Sequence, residues 1–270
     1  MSLAVATWNI NSVRLRSGLV QRFLEETRPD VLCLQETKCP DDQFPATDFK
    51  KLGYGHIAVS GQKGYHGVAI LSRLPFISQD IRVFADKTDC RHISVTFGAE
   101  ARAAKGITVH NFYVPAGGDV PDPEANEKFA HKLQFLDDMR AWGASDQPAS
   151  GKAILVGDLN VAPLENDVWS HKQMLDVVSH TPIECEKLAA AIQSADWVDA
   201  IRTLKPEPER VFTWWSYRAA DWEASNRGRR LDHVWVSREL APGLAAIDIH
   251  RAARGWERPS DHVPVTVRFK

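Results

Sequence analysis

The chain has 270 residues, a formal net charge of −2, 44% hydrophobic and 25% charged residues, the balance of an ordinary globular protein rather than a disordered or fibrous one. No apolar run approaches the roughly 20 residues a membrane helix needs, and the near-neutral total excludes a general electrostatic pull toward nucleic acid. Cys33, Cys39, Cys90 and Cys185 are scattered and form no C-x-x-C pair, which argues against a zinc site or a disulfide framework and for a reducing cytoplasm.

In chain order, Met1–Thr7 has no basic leader and runs into a strand over Leu3–Trp8, broken by Asn9-Ile10-Asn11-Ser12. Leu15, Leu19 and Phe23, with Val20 and Leu24, recur at helical spacing and predict a helix from about Leu15 to Thr27. Val31–Gln35 reads as a second buried strand with Glu36 at its end. This strand–helix–strand unit argues an α/β class. Short strands follow at 57–59, 67–71, 81–84 and 92–97, with turn-like separators that favour antiparallel pairing. A strand over Ile107–Tyr113 ends in a Pro/Gly loop, and Glu124–Trp142 is a helix whose shared face is Phe129, Leu133, Leu136 and Arg140. Ala153–Val156 is a buried strand closed by Gly157-Asp158-Leu159-Asn160. Residues 161–182 are irregular, and 184–204 hold two helices interrupted near Ser194-Ala195-Asp196. Strands at 210–217, 231–237, 246–250 and 263–269 close the chain. Each half repeats a coarse pattern of strands ending in polar groups with long helices beside them. Two stacked sheets flanked by helices would explain it, and 1–270 reads as a single domain.

Asn9 and Asn11, Glu36, Tyr113, Asp158 and Asn160, Asp232, and Asp261-His262 each follow or terminate an apolar run. Any one alone reads more simply as structural; Gly157–Asn160, for example, suits an Asx turn capping a strand. Together they form a shared rim, where ligands bind in α/β folds. If strand geometry persists through Leu159, Asp158 and Asn160 face one side. Oxygen donors without cysteine suit Mg²⁺ or Mn²⁺ rather than zinc. Glu36 and Asp261 could supply carboxylates with Asn9 or Asn11 nearby, His262 could pair with Asp232, and Asp158 could deprotonate a water. That set suits metal-assisted hydrolysis of a phosphate ester. No G-x-x-x-x-G-K-[ST] and no G-x-S-x-G occurs.

The segment from Ile201 onward carries 13 Lys/Arg against 9 Asp/Glu, so a mildly basic end follows an acidic body. Within it, Thr213-Trp214-Trp215-Ser216-Tyr217-Arg218 and Arg227-Gly228-Arg229-Arg230 put tryptophans beside arginines. Exposed, they suit base stacking and phosphate neutralisation; otherwise the tryptophans are core. Gln62-Lys63-Gly64-Tyr65-His66-Gly67 is a second candidate loop for phosphate.

Six motifs then stand in order: Thr7-Trp8-Asn9-Ile10-Asn11-Ser12, Leu34-Gln35-Glu36-Thr37-Lys38, Asn111-Phe112-Tyr113-Val114-Pro115, Gly157-Asp158-Leu159-Asn160, Arg230-Leu231-Asp232-His233 and Ser260-Asp261-His262-Val263-Pro264. With them the whole chain resembles the endonuclease/exonuclease/phosphatase superfamily, and within it the exonuclease III-type abasic-site endonucleases. The resemblance implies a four-layered α/β/β/α sandwich, with two mixed, mainly antiparallel sheets packed face to face and helices outside. It implies Mg²⁺-dependent cleavage of double-stranded DNA 5′ to abasic sites, 3′-to-5′ exonuclease action and removal of 3′ blocking groups, with Mn²⁺ a plausible substitute. Carried over, Glu36 looks like the principal metal ligand, with Asn9, Asp261 and Asn11 beside it. Asp158 looks like the residue that activates water. Asn160, His262 and Tyr113 look like phosphate contacts, and Asp232 orients His262. Trp214 and Leu231 match two walls of a pocket for a flipped sugar, and Arg91, Lys63, Arg227 and Arg229 are expected at the DNA. Two departures stand out: Asn11 replaces an Asp of some relatives, and the loop after Pro115 has no arginine. A cytoplasmic monomer, nucleoid-associated when acting, completes the expectation. A superfamily member for another phosphoester, and a DNA-binding module without catalysis, are the alternatives.

Overall fold

In the computed structural model, which describes residues 2–270, most apolar runs form strands with both faces buried. Met1, the first residue of the expected single domain, lies outside the described residues. In chain order the elements are β1 (Leu3–Asn9), α1 (Val13–Thr27), β2 (Val31–Gln35), α2 (Ala46–Lys51), β3 (His56–Ser60), β4 (Val68–Ser72), β5 (Phe76–Asp80), β6 (His92–Phe97) and β7 (Thr108–Tyr113). They continue with α3 (Glu127–Asp146), β8 (Ala153–Asp158), α4 (His171–Met174), α5 (Pro182–Ser194), β9 (Val198–Asp199), α6 (Ala200–Leu204) and β10 (Trp214–Trp215). The last are α7 (Trp222–Ser225), β11 (Gly228–Arg229), β12 (Asp232–Val236), β13 (Leu244–Ile249) and β14 (Val265–Phe269).

Among the described residues two six-stranded sheets form, in the orders β13-β14-β1-β2-β4-β3 and β5-β6-β7-β8-β12-β9. Each has one parallel pair at its centre, β1–β2 and β7–β8, and antiparallel pairing elsewhere. The two halves thus share one pattern, the coarse echo of the sequence. Alternation sorts the side chains. Val5, Val31, Cys33, Val109, Ile154, Val156, Val234 and Val267 meet between the sheets. Ala6, Trp8, Leu32 and Leu34 face α1 on one outside, and Phe112, Leu155 and Trp235 face α3 and α5 on the other. The expected four-layered sandwich is the observed one.

Several local expectations are corrected. The buried face of α1 is Val13, Val20, Phe23 and Leu24, while Leu15 is 61% exposed. Arg16 leaves helical geometry at φ −119°, ψ 20° and so rotates the first turn away from the extrapolated face. The helix expected from Glu124 starts at Glu127, capped by the Asn126 side chain on Lys128 N. Arg140 lies outside its buried face, where Lys132 takes a place instead. Residues 81–84 are not a strand; the Arg82 N–H is bonded by the His92 ring. The edge strand on this side is the solvent-facing β5, which the expected strands did not include. Of 210–217 only Trp214–Trp215 pairs, with β11.

Gly157 holds φ +147°, and a Cβ there would run into the Phe112 carbonyl of the neighbouring strand. Gly157→Ala should therefore cost on the order of 3 kcal/mol or more, read as a large fall in Tm; a wild-type Tm would show that β7 and β8 can separate freely.

Burial also lowers the imidazoles of His92, His110 and His233, the latter two to about 3 and about 4. The unfolded chain protonates them below their ordinary value of 6.5, so it binds more protons than the fold between about pH 6.5 and 4, and stability drops as pH falls through that window. For His110 and His233 the loss at pH 5 is on the order of 1–2 kcal/mol each. Thermal unfolding should show a lower Tm at pH 5 than at pH 7, and NMR should find the His110 and His233 rings still neutral at pH 5; rings that protonate near their ordinary value would mean that they are solvated.

Candidate active site

The same alternation that buries valines between the sheets runs out in polar residues at one rim. The last inward positions of the central strands are Asn9 on β1, Gln35 on β2, Tyr113 on β7 and Asp158 on β8, all buried. Both parallel pairs end at this rim. The antiparallel neighbour β12 begins there, with Asp232 opposite Asp158 in the register, and His262 precedes the start of β14. A layer of buried polar groups needs partners, and this one finds most of them across the sheets, while Gln35 Oε1 and Asp232 Oδ1 have no protein partner.

Asn9 donates through Nδ2 to Glu36 Oε1 at 3.0 Å and to Asp158 Oδ2 at 2.8 Å. Asn160 donates to Asp158 through its backbone N (3.0 Å) and its Nδ2 (3.1 Å). His262 Nδ1 donates to Asp232 Oδ2 at 2.8 Å, and its Nε2 lies 3.6 Å from Asp158 Oδ2. Trp8 Nε1 on the His262 carbonyl (3.0 Å) and Ser260 Oγ on the Asn9 carbonyl (2.7 Å) tie this segment to β1.

Burial disfavours charge on Asp158, His262, Glu36 and Tyr113, and their partners decide the outcome. Burial pushes the Asp158 carboxyl up to about 7; His262 pulls the other way, and Asp232 adds to the rise. Burial alone would neutralise His262, but Asp232 and Asp158 outweigh it and raise the imidazole to about 10, so it is cationic at neutral pH. Burial also works against the Glu36 carboxylate, yet Lys38 and Asn9 hold it below the usual carboxylate range. Burial, with Glu36 and Asp158 adding, keeps the Tyr113 phenol neutral.

The strand argument for Asp158 and Asn160 is replaced by a turn. β8 stops at Asp158, and Asn160 is left-handed at φ +53°. The bond from Asn160 N to Asp158 Oδ1 closes an Asx turn. The two side chains meet because the chain turns, so the turn and the site are one object. The second Asn160 amide hydrogen goes to the Val114 carbonyl at 2.9 Å. Both hydrogens are committed, and a phosphate contact requires an exchange of one of them.

Hard oxygen donors gather on the Glu36 side. Lys38 Nζ stands 2.7 Å from both Glu36 Oε2 and Asn11 Oδ1, and Asn11 Nδ2 donates to Asp261 Oδ1 at 3.2 Å. An ammonium bridging two oxygens marks a place that wants a cation, and the donor chemistry fits Mg²⁺ with room for water. Asn9 differs from expectation: its oxygen accepts from Asn11 N and its nitrogen faces two carboxylates. As arranged, it spaces Glu36 from Asp158 rather than offering a ligand. Asp158, Asp232 and His262 also bring acid and imidazole atoms within 4.8 Å of one another. Their nearest atoms, however, are spent on the Asp232–His262 bond in a fully buried place, which suits a hydrated ion poorly.

The rim opens into a cleft of about 710 Å³ lined by Glu36, Asn160, His262, Trp214, Leu231 and Arg229, among others. Trp214 donates through Nε1 to Asp261 Oδ2 (3.0 Å) and lies under Arg229, 5.0 Å from its ring centroid. Trp215 is core, packed with Phe212, Ala253 and Val263, so the two readings of the Trp-Trp pair split between its members. Arg227 is exposed over Trp169 at the cleft, and Lys63 is exposed on its loop. Arg91 is buried, with its guanidinium held by Asp89, His66 and the Tyr113 carbonyl and stacked on the Tyr113 ring. It supports Tyr113 from behind instead of reaching into solvent, because its donors are already taken. Lys38 lies inside the Glu36 motif, and its proximity in sequence to Glu36 is the one signal that points to it. Trp169, Gln173 and Met174 on the cleft wall belong to an irregular stretch with no periodicity to flag them.

A model of the Endonuclease/Exonuclease/phosphatase family matches residues 6–262. The chain is similar to exodeoxyribonuclease III of Haemophilus influenzae, 30% identical over 275 residues and 98% of each chain. Its fold is similar to an AP endonuclease from Archaeoglobus fulgidus, with TM-score 0.89, 31% identity and 99% of each chain covered. It is equally similar, at TM-score 0.89, 31% identity and 99% of each chain, to the Neisseria 3′ phosphatase NExo solved with a product DNA hairpin. Among the described residues no helix is long and apolar enough to cross a membrane.

The Asp232–His262 bond sets the imidazole charge, so the ring of His262 should titrate near 10 by NMR. In Asp232→Asn the midpoint should fall by roughly one unit or more; an unmoved midpoint would mean that Asp232 does not govern it.

Proposed function

The chain belongs to the endonuclease/exonuclease/phosphatase family and is a DNA-repair nuclease, a phosphodiesterase; from that premise we propose that it cuts duplex DNA 5′ to abasic sites and clears blocking groups and nucleotides from 3′ ends. The observation that carries this reading is the unbroken polar chain Glu36–Asn9–Asp158–His262–Asp232, drawn from both sheets to one rim beside a cleft. The whole chain, 1–270, acts as one catalytic domain in this reading, as a cytoplasmic monomer.

Asp158 is the base. Its carboxylate is oriented by three donors, and a carboxyl raised to about 7 accepts a proton from water near neutral pH. His262, cationic and oriented by Asp232, offers Nε2–H to a phosphoryl oxygen. Tyr113 stays neutral and supplies an O–H donor beside Glu36 and Asp158. Asn160 holds Asp158 and meets phosphate by exchanging its Val114 bond. The exonuclease III family is divalent-metal dependent. Here Glu36 would hold Mg²⁺, or Mn²⁺ in its place, with Asn11 and Asp261 next to it and Lys38 displaced. The ion supplies positive charge to the phosphoryl oxygens and the leaving oxygen. Trp214 and Leu231 wall the place for an extruded sugar, which an abasic nucleotide enters at little unstacking cost. Lys63, Arg227 and Arg229 meet the flanking phosphates.

A duplex with a single abasic site, incubated with Mg²⁺ or with EDTA, tests the reading, alongside a duplex ending in a 3′ phosphate. Incision and phosphate release only with metal are expected, and their absence would sink it. Asp158→Asn should lose roughly 10²–10⁴-fold in kcat while keeping its affinity for DNA in a shift assay; near-wild-type turnover would assign the base elsewhere.

A further inference from the structure

Lys132 is the one charged side chain on the buried face of α3 among the described residues, set between Phe129 and Phe135. Its ammonium reaches the site only through the backbone carbonyl of Asn160 and bonds no side chain assigned a chemical role above. A lysine ammonium has three donors and no acceptor. Here it meets three oxygens: the Asn160 carbonyl at 2.7 Å, the Ala116 carbonyl at 3.3 Å, and Glu184 Oε1. Lys132 and Glu184 are both fully buried. Glu184 is fully engaged in turn, accepting from Ser179 N (2.9 Å), Thr181 N (3.1 Å) and Thr181 Oγ1 (2.7 Å). Ser179 completes the ring, because its carbonyl accepts from Ala162 N at 2.7 Å and its hydroxyl accepts from Arg229 at 2.9 Å. The loop after β7 packs on the lysine stem so closely that a Cβ on Gly117 would lie 2.9 Å from Lys132 Cδ.

The geometry points to Lys132 as a positioning residue for the reaction: it clamps the Asn160 carbonyl, and with it the Asp158–Asn160 turn, to the Ala116 loop and the Ser179–Thr181 turn. Asn160 is left-handed and outside any ladder, so its carbonyl has no strand partner to fix it. The ammonium supplies that partner. The clamp thereby sets where the Asn160 amide sits relative to Asp158, and the same ion pair holds the cleft wall that carries Ser179 and Arg229. A buried pair that served only the stability of α3 and α5 would not need a catalytic-loop carbonyl as its third partner.

The kinetic half of the test rests on the nuclease reading; the exchange half does not. The variant Lys132→Met with Glu184→Gln removes both charges together, so no buried ion is stranded. Hydrogen exchange by mass spectrometry should show peptides over 159–163 opening roughly tenfold more than in wild type, while β8 and β12 stay protected. On an abasic duplex, kcat should fall about tenfold with KM within about twofold, and the fall should largely vanish in an Asn160→Ala background. Unchanged exchange at 159–163 overturns the proposal. So do effects that simply multiply with Asn160→Ala, since a merely structural role predicts independence. If wild type cuts no DNA, the nuclease reading falls and the exchange result still decides the clamp. Should the Met/Gln pair not fold, Lys132→Gln with Glu184→Gln, which restores a neutral donor, takes its place in the same comparison.

Discussion

A carboxylate with 1% exposure at the end of a buried strand is the constraint on which this structure depends. Removing Asp158 from water is costly unless donors replace the solvent. The donors come from two places, the Asn9 amide from the opposite sheet and the turn at Asn160, and the imidazole of His262, held by Asp232, adds its charge 3.6 Å away. The 2.8 Å bond between Asn9 and Asp158 spans the sandwich, so the two sheets have to stack in one relative position. A slip along either strand would strand the carboxylate, and β register shifts by whole residues only.

The repeated topology makes that meeting possible. Each sheet places one parallel pair at its centre, and parallel strands deliver their last residues to the same edge. The antiparallel neighbours then bring Asp232 and His262 back to that edge. Behind the rim, buried ion pairs hold the connecting loops. Arg230 is gripped by Asp167 and Asp199 just before Leu231 and Asp232, and Lys132 is gripped by Glu184 behind Asn160. Breaking such a pair from one side leaves an uncompensated charge in the interior, so these loops are costly to displace although they carry little regular structure.

Opposing electrostatics divide the rim. Glu36, Asp158, Asp232 and Asp261 make it acidic, and Lys38 and a cationic His262 balance it. Under the proposed function, a phosphodiester arriving at an acidic rim needs compensation, which the imidazolium and a dication held at Glu36 would supply together. The cleft continues away from this charge onto Trp214, Leu231 and Met174, with Arg227 and Arg229 stacked on tryptophans at its edge. Ring stacking orients each guanidinium; exposed Arg227 keeps its edge in solvent, whereas Arg229 spends one nitrogen on the Val178 carbonyl and the Ser179 hydroxyl.

Much of this was legible in the chain itself. Unbroken apolar runs determined the central strands, and β2 and β6 match their expected bounds. The polar residues that end those runs named Asn9, Glu36, Tyr113, Asp158, Asp232 and His262, since polar groups at the end of a buried strand need a common partner. Other features had no local signal. β5 is an edge strand exposed over Ile77–Asp80 and so lacks the apolar run that marks the others, and 81–84 is mostly apolar yet irregular, with the Arg82 backbone donor bonded by a histidine of β6. Whether Trp214 or Trp215 faces the cleft depended on which one the Phe212–Val263 cluster buries. Whether Arg91 meets solvent depended on Asp89, His66 and Tyr113 surrounding it. Sequence by itself determined which groups lie at the rim, because period and polarity are local. Tertiary structure alone decided what each group is bonded to, because hydrogen-bond partners as distant in sequence as Asn9 and Asp158, or Lys132 and Glu184, meet only when the two sheets and their helices pack.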